Sequence, residues 1–398
     1  MIDRRVFLGT ATGAMITAQA RVAFAGAEAD KRFVVVMLRG AMDGLSAVPA
    51  YGDPDYAGMR TGLAVPKPGE RDGALKLDGF FGLHPALSGL GRRFAAGELL
   101  VFHAIASPYR DRSHFDGQNL LENGSPKPFG LTDGWLNRAM SALPGPLRSS
   151  RREYGVALAP AMPLMLRGSA PVTSWSPSIL PAPDQDLVAR LGRLYRETDP
   201  KLASALEGAA QANGVTGMGG TGRAGGAGDL VTLMGAAARF LSSPNGPCVA
   251  MVESTGWDTH ANQVGPYGVL NRNLMALDRG LEELAVGMGG LWKQTAVMIV
   301  TEFGRTVQMN GTTGSDHGNG GAAFLLGGAV AGGRVLADWP GLARGNLYEG
   351  RDLRPTTDLR SLMKAALVDH LGIPAAFVER VVFPESAVAR SLAGLFRA

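Results

Sequence analysis

Three short segments of this chain set a histidine beside an aspartate: Ser113-His114-Phe115-Asp116, Trp257-Asp258-Thr259-His260 and Ser315-Asp316-His317. An imidazole offers a borderline nitrogen donor, and a carboxylate offers charge and a hard oxygen. Doublets of this kind therefore suit a divalent cation. Glu302, in Thr301-Glu302-Phe303-Gly304-Arg305-Thr306, and Asp43, in Arg39-Gly40-Ala41-Met42-Asp43-Gly44, add carboxylates in comparable settings. The candidate metal ligands are Asp43, Asp116, Asp258, His260, Glu302, Asp316 and His317. The chain has 1 cysteine, so an intramolecular disulfide and any multi-cysteine metal site are excluded. A mixed nitrogen and oxygen set suits Zn first, then Mn or Fe, with Ca or Mg where carboxylates dominate.

Three further residues could take part in catalysis. Arg305 carries a planar fork that fits phosphate, sulfate or carboxylate; the alternative is an ion pair that orients Glu302. Ser113 stands where a helix opens, as a nucleophile or as an N-cap. His114, with Asp116, is a ligand or an acid–base group. Of the other histidines, His84 and His370 fall in helical patterns, where packing roles are expected. His103 follows an apolar run without a paired carboxylate. Trp257 is expected to support its loop or to line a cleft.

These residues sit beside apolar runs of strand character: Phe33–Leu38, Leu99–Phe102, Val249–Val252, Thr295–Val300 and Ala322–Leu326. Continuous β-branched runs fit strands buried on both faces. Helical spacing marks Leu83–Ala96 and Leu270–Met288, and Thr357-Asp358 could cap a helix reaching His370. The pattern predicts an α/β fold with a mostly parallel central sheet and helices on both faces. In such sheets ligands lie beyond the carboxyl ends of the strands, where the doublets cluster.

Composition closes other routes. The chain has 398 residues, is 45% hydrophobic and carries a formal charge of +4, too apolar for disorder and without a basic block for nucleic acid. No apolar run approaches the ~20 residues of a membrane span. Cys248, in an apolar stretch, reads as a buried structural thiol. Residues 1–25 read as a twin-arginine signal peptide. Arg4-Arg5-Val6-Phe7-Leu8 precedes a short apolar stretch and Ala23-Phe24-Ala25, so the twin-arginine export machinery is an expected partner and the periplasm or exterior the expected location. Residues 26–398 read as a single α/β domain with a Gly-rich loop near 209–228.

At these residues the sequence resembles the bacterial domain of unknown function number 1501. The matching segments are Val34 to Leu45, Ser113-His114-Phe115-Asp116, Trp257-Asp258-Thr259-His260, Thr301 to Thr306 and Asp316-His317-Gly318. That family is similar to the alkaline phosphatase and sulfatase superfamily. The resemblance implies an α/β sandwich with metal ligands after the strand ends. Asp258 and His260 match a ligand pair there, Glu302 stands where an Asp-His usually follows a strand, and Asp316-His317-Gly318 resembles a late ligand loop. Gly40 takes the place of the usual first-strand aspartate, with Asp43 a few residues later, and Ser113 loosely matches the nucleophile region. No Cys-x-Pro-x-Arg motif is present, which excludes a formylglycine sulfatase. The implied activity is metal-dependent hydrolysis of a small anionic phosphate or sulfate ester. The alternatives are an exported metal- or anion-binding protein without turnover, and a metal-dependent oxidoreductase.

Overall fold

The computed structural model describes residues 31–149, 151–177, 185–216, 227–265 and 267–397. The signal-peptide segment, residues 1–25, lies outside the described residues.

One sheet holds nine strands, labelled here in chain order: β1 Arg32–Leu38, β2 Leu99–Ala106, β3 Gly155–Leu158, β4 Val172–Trp175, β5 Val249–Ser254, β6 Thr295–Thr301, β7 Gly321–Leu326, β8 Arg334–Leu336 and β9 Thr357–Asp358. Their order is β8-β2-β7-β6-β1-β5-β3-β4, with β9 also pairing β2. Every pairing is parallel except those of β7, which runs against both β2 and β6. The five strands legible in the sequence are all present. Four were not read: β3 and β4 span four residues each, and β8 and β9 are shorter still. Such pieces are too brief to show a period.

Both faces of the sheet are covered, as predicted. On β1, Val34, Val36 and Leu38 join one apolar cluster, and Phe33, Val35 and Met37 join the other. The alternation is the strand period of two, and burial of both faces is why the run is apolar throughout. The first cluster is closed by helix α7 (Ala227–Ser242) and helix α8 (Val269–Met288), the second by helix α4 (Trp135–Ser141) and helix α9 (Leu359–Ala365). The remaining longer helices are α2 (Ser88–Ala95), α3 (His114–Asn123), α5 (Gln185–Thr198) and α6 (Pro200–Thr216), and a short α1 spans Gly44–Ala47.

Several boundaries differ from the sequence reading, each for a local reason. The helix expected from Leu83 starts at Ser88, because Gly82–Leu83 forms a small antiparallel ladder with Leu75–Lys76 and Pro85 disfavours a helical His84. His103 lies inside β2 rather than after it, fully buried. The segment read as a Gly-rich loop is helical at both ends, α6 running to Thr216 and α7 starting at Ala227. Ala209 and Ala210 continue a helix readily. Residues 217–226 lie outside the described residues. Asp358 caps α9 as expected, accepting from the Arg360 amide at 2.9 Å. Cys248 is buried, and burial pushes its thiol pKa up, in keeping with a structural role.

Two histidines belong to the packing. His103 Nε2 meets the Val48 carbonyl at 3.0 Å, and His370 Nε2 meets the Arg32 carbonyl at 2.8 Å. Burial lowers the pKa of each from 6.5 to about 4. The unfolded chain therefore binds protons below pH 6.5 that the folded chain refuses. The stability these groups contribute is intact above that pH and is lost as pH falls toward about 4. Urea unfolding from pH 7 to 4.5 is expected to show a fall of ~1 kcal/mol per pH unit for each histidine, and His370→Gln to make the slope shallower. An unchanged slope in that variant would exclude His370 as a contributor.

Candidate metal centre

The sheet delivers its loops to one edge. Strands β1, β5 and β6 end in register, with Leu38 opposite both Ser254 and Thr301. Reversed β7 starts at the edge where its neighbours finish, so Asp316 and His317, which precede it, meet the loops that follow β5 and β6. The loop after β2 leads into α3 and brings His114.

Three imidazoles and one carboxylate converge there. His317 Nε2 lies 3.2 Å from Asp258 Oδ1, and His260 Nε2 lies 2.9 Å from the same oxygen. His114 Nε2 stands 3.4 Å from Asp258 Oδ2. One donor atom each from His114, Asp258 and His317 fall within 4.8 Å of one another, and His260 adjoins them with its Nε2 2.9 Å from His317 Nε2. Ligands that bind one ion at ~2.0–2.2 Å must lie about this close together. His114 stacks on buried Phe303, with ring centroids 5.0 Å apart, which fixes its plane.

Each imidazole is held from behind by its other nitrogen. His114 Nδ1 donates to Glu302 Oε1 at 2.8 Å, His260 Nδ1 to Asp316 Oδ1 at 2.9 Å, and His317 Nδ1 to the Arg112 carbonyl at 2.9 Å. A proton on Nδ1 leaves the Nε2 lone pair facing the centre. Carboxylate or carbonyl support of this kind accompanies metal-ligating histidines. Two Nε2 lone pairs 2.9 Å apart repel unless a cation or a proton lies between them. His114 Nε2 is buried and has no hydrogen-bond partner among the described residues. The orphaned nitrogen and the facing lone pairs fit a bound cation.

The charges around the centre follow from these contacts. The hydrogen bond to Glu302 raises the His114 pKa. Burial opposes ionisation of Glu302, but hydrogen bonds from His114 and Gln118 outweigh it and hold the carboxyl below its usual range. Burial likewise opposes ionisation of Asp258, and the Arg305 guanidinium, bonded to Oδ1 at 2.5 Å, outweighs it. Asn310 holds the Asp316 carboxyl low. Burial and the neighbouring charges of His114 and Arg305 lower His317.

The remaining candidate residues fall elsewhere. Glu302 and Asp316, read as ligands, stand one step back and orient histidines. Glu302 Oε1 already accepts from Gly40 N, Gln118 Nε2 and His114 Nδ1. Asp43, also read as a ligand, is buried in an ion pair with Arg60 at 2.6 Å, caps α1 and accepts from Gln263. Asp116 accepts from the Tyr109 hydroxyl at 3.3 Å and is not part of the cluster. Ser113 caps α3, its Oγ accepting from the Asp116 amide. Arg305 does not orient Glu302 and is not an open clamp. It is 1% exposed and spends its guanidinium on Asp258 and on the Ser315 hydroxyl and carbonyl. His84 lies beside α2, its Nδ1 accepting from the Ala86 amide. Trp257 is fully buried and donates to Ser254 Oγ, supporting the loop.

A protein-family model described as "Protein of unknown function (DUF1501)" matches residues 103–382. The chain belongs to the DUF1501 family. The matched span includes every residue of the cluster. No curated protein matches this DUF1501 sequence. Among solved structures, the chain is similar to a protein in the alkaline phosphatase superfamily from Vibrio parahaemolyticus, at 10% identity and TM-score 0.41, over 86% of this chain and 67% of that one. It is similar to the C-terminal periplasmic domain of EcEptC from Escherichia coli in complex with Zn, at 9% identity and TM-score 0.37, over 75% and 72% of the two chains. It is also similar to a phosphonate monoester hydrolase of Agrobacterium radiobacter, at 12% identity and TM-score 0.33, over 86% and 74%.

Several supporting residues carry no signal in the sequence. Gln118, Gln263 and Asn310 are ordinary amides until folding places them, and Arg112 contributes a backbone carbonyl. Gly40 does have a legible cause. Its φ is +117°, and a Cβ there would stand 2.5 Å from the Asp258 amide nitrogen. Gly40→Ala is expected to cost ~1–3 kcal/mol of stability through the strained φ. By pushing the Asp258 loop outward it is also expected to weaken zinc binding at least tenfold in calorimetric titration. Wild-type affinity in that variant would show that the close approach is unimportant to the centre.

Proposed function

We propose that this protein is an exported, divalent-metal-dependent hydrolase of small phosphate or sulfate esters. The observation that carries the reading is the convergence of three histidine Nε2 atoms on Asp258, each with its Nδ1 proton engaged. His114, His317 and Asp258 are the proposed ligands, with His260 as the adjoining fourth. A cation held there would supply Lewis acidity toward an ester oxygen and lower the pKa of a water. The donor set is rich in imidazole, which favours Zn, Fe, Ni or Cu over Ca and Mg.

The chain's own residues have distinct duties. Glu302, Asp316 and the Arg112 carbonyl hold the three imidazoles in one tautomer. Arg305 keeps Asp258 ionised and aimed. Because Ser113 caps α3, water rather than this serine is the proposed nucleophile. The twin-arginine pattern of residues 3–25 supports export, and no helix among the described residues is long and apolar enough to cross a membrane.

One observation favours a second reading, an exported metal-binding protein without turnover. The arginine nearest the centre is consumed by Asp258 and Ser315, leaving its fork unavailable to an ester.

The deciding experiment is hydrolysis of 4-nitrophenyl phosphate and sulfate by metal-stripped protein with Zn, Mn or Mg restored singly. Zinc is expected to restore turnover, with His317→Ala reducing it by at least a hundredfold. Ser113→Ala is expected to retain activity while losing ~1 kcal/mol of stability as a missing helix cap. Stoichiometric zinc without hydrolysis would favour the binding reading, and absence of bound metal would sink both.

A further inference from the structure

Beyond the cluster lies a buried carboxylate that the sequence reading passed over. Asp352 is fully buried and lies in the segment between β8 and β9. Its Oδ2 accepts from Arg112 Nε at 2.8 Å and from Asn319 Nδ2 at 2.9 Å. Its Oδ1 accepts from Arg351 Nε at 2.8 Å. Isolated bridges tie Asp352 to Thr306 and to Tyr348. Two arginines and an amide therefore converge on one desolvated carboxylate, and a buried carboxylate is tolerated only with donors of this number and strength.

Both arginines lead to His317. The Arg112 carbonyl accepts from His317 Nδ1, and Arg351 donates to the His317 carbonyl at 2.7 Å. One guanidinium thus locates the acceptor for the ring, and the other clamps the backbone that carries it. Arg112 also has a φ of +62°, a left-handed conformation that costs a non-glycine residue energy and needs support from its surroundings. Its side chain has that support along one edge of the guanidinium, Nε donating to Asp352 and Nη2 to Glu349. That anchoring helps keep the Arg112 carbonyl aimed at Nδ1.

We propose that Asp352 is the positioning residue of the metal centre: through Arg112 and Arg351 it fixes the tautomer and direction of His317, so that Nε2 presents its lone pair toward Asp258 and His260. The proposal rests on the metal-centre reading for its functional meaning, but the tautomer of His317 is a property of the metal-free chain. The imidazole Nδ1 proton is held because a carbonyl oxygen can only accept. When the carbonyl drifts, the proton is free to sit on Nε2, where it would block a cation. Support of this type is worth ~10–100-fold in metal affinity.

The test has two arms on the same full-length proteins, wild type and Asp352→Asn. The first is a long-range 1H–15N correlation spectrum of the metal-free histidine rings, with His317→Gln used for assignment. Wild-type His317 is expected as the Nδ1–H form, and Asp352→Asn is expected to shift it toward Nε2–H. The second is zinc titration by calorimetry, with an expected ~10–100-fold loss in Asp352→Asn. Arg112→Lys keeps the charge but removes the fork. It is expected to reproduce both effects, and it carries the test should Asp352→Asn fail to fold. The double variant is expected to be no worse than either single one, since both cut the same chain of contacts. A merely structural role would lower the unfolding midpoint without moving the tautomer. An unchanged tautomer and an unchanged zinc affinity in folded variants would overturn the proposal while leaving the metal reading intact. A shifted tautomer beside a wild type that binds no zinc would support the positioning role and overturn the metal reading.

Discussion

The ion pair between buried Arg305 and the more exposed Asp258 is the interaction on which the centre depends. Arg305 follows β6, Asp258 follows β5, and Ser315, which Arg305 also grips, precedes β7. One guanidinium therefore joins the loop after β5 to both arms of the β6–β7 connection, which the sheet brings to the same edge. With only 1% of Arg305 exposed, a lost partner would leave a desolvated charge. Its fixed fork suits this task better than a flexible ammonium would. Asp258 is the carboxylate around which the imidazoles gather, so its position sets theirs.

The same pair continues inward. Ser315 Oγ donates to Gln263 Oε1 at 2.7 Å, and Gln263 Nε2 donates to Asp43, which pairs with Arg60. Asp43 is thus linked to the centre while lying outside the cluster itself. Its carboxyl is held low against burial by the Arg60 charge. A polar chain of this kind is tolerated inside a protein because its members satisfy one another, and it makes the loops at the site mutually dependent.

Much of the architecture was legible in the sequence because it follows from pattern. Double-faced burial writes itself as unbroken apolar runs, which is why β1, β5 and β6 stood out and the four-residue β3 did not. Residue type and position at strand ends likewise pointed to Asp258, His260, His317 and His114. What sequence could not supply is which carboxylate faces the centre and which stands behind it. Glu302, Asp316, Asp43 and Asp116 are chemically alike, and they differ only in the donors that folding brings to them. Gln118, Arg60 and Asn310 lie 184, 17 and 6 residues from the carboxylates they serve, a relation without a period. Arg305 was ambiguous for the same reason: its charge is visible, but its partner is a product of the fold.

The reversal of β7 has a consequence for how such a centre can vary. Antiparallel neighbours need no crossover, so the segment between Thr301 and Gly321 leaves the sheet and returns to it beside its point of departure. That segment carries Glu302, Arg305, Asp316 and His317, while its ends are locked in the ladder by pairs such as Ile299 with Phe324. Its flanks, with Glu302, Arg305 and Val307, are buried, while its tip, residues 308–313, is largely exposed and can be lengthened or exchanged without threading new chain through the core. The parallel strands and the buried flanks of this segment supply a fixed socket that holds His317, and the tip of the segment is the part open to change.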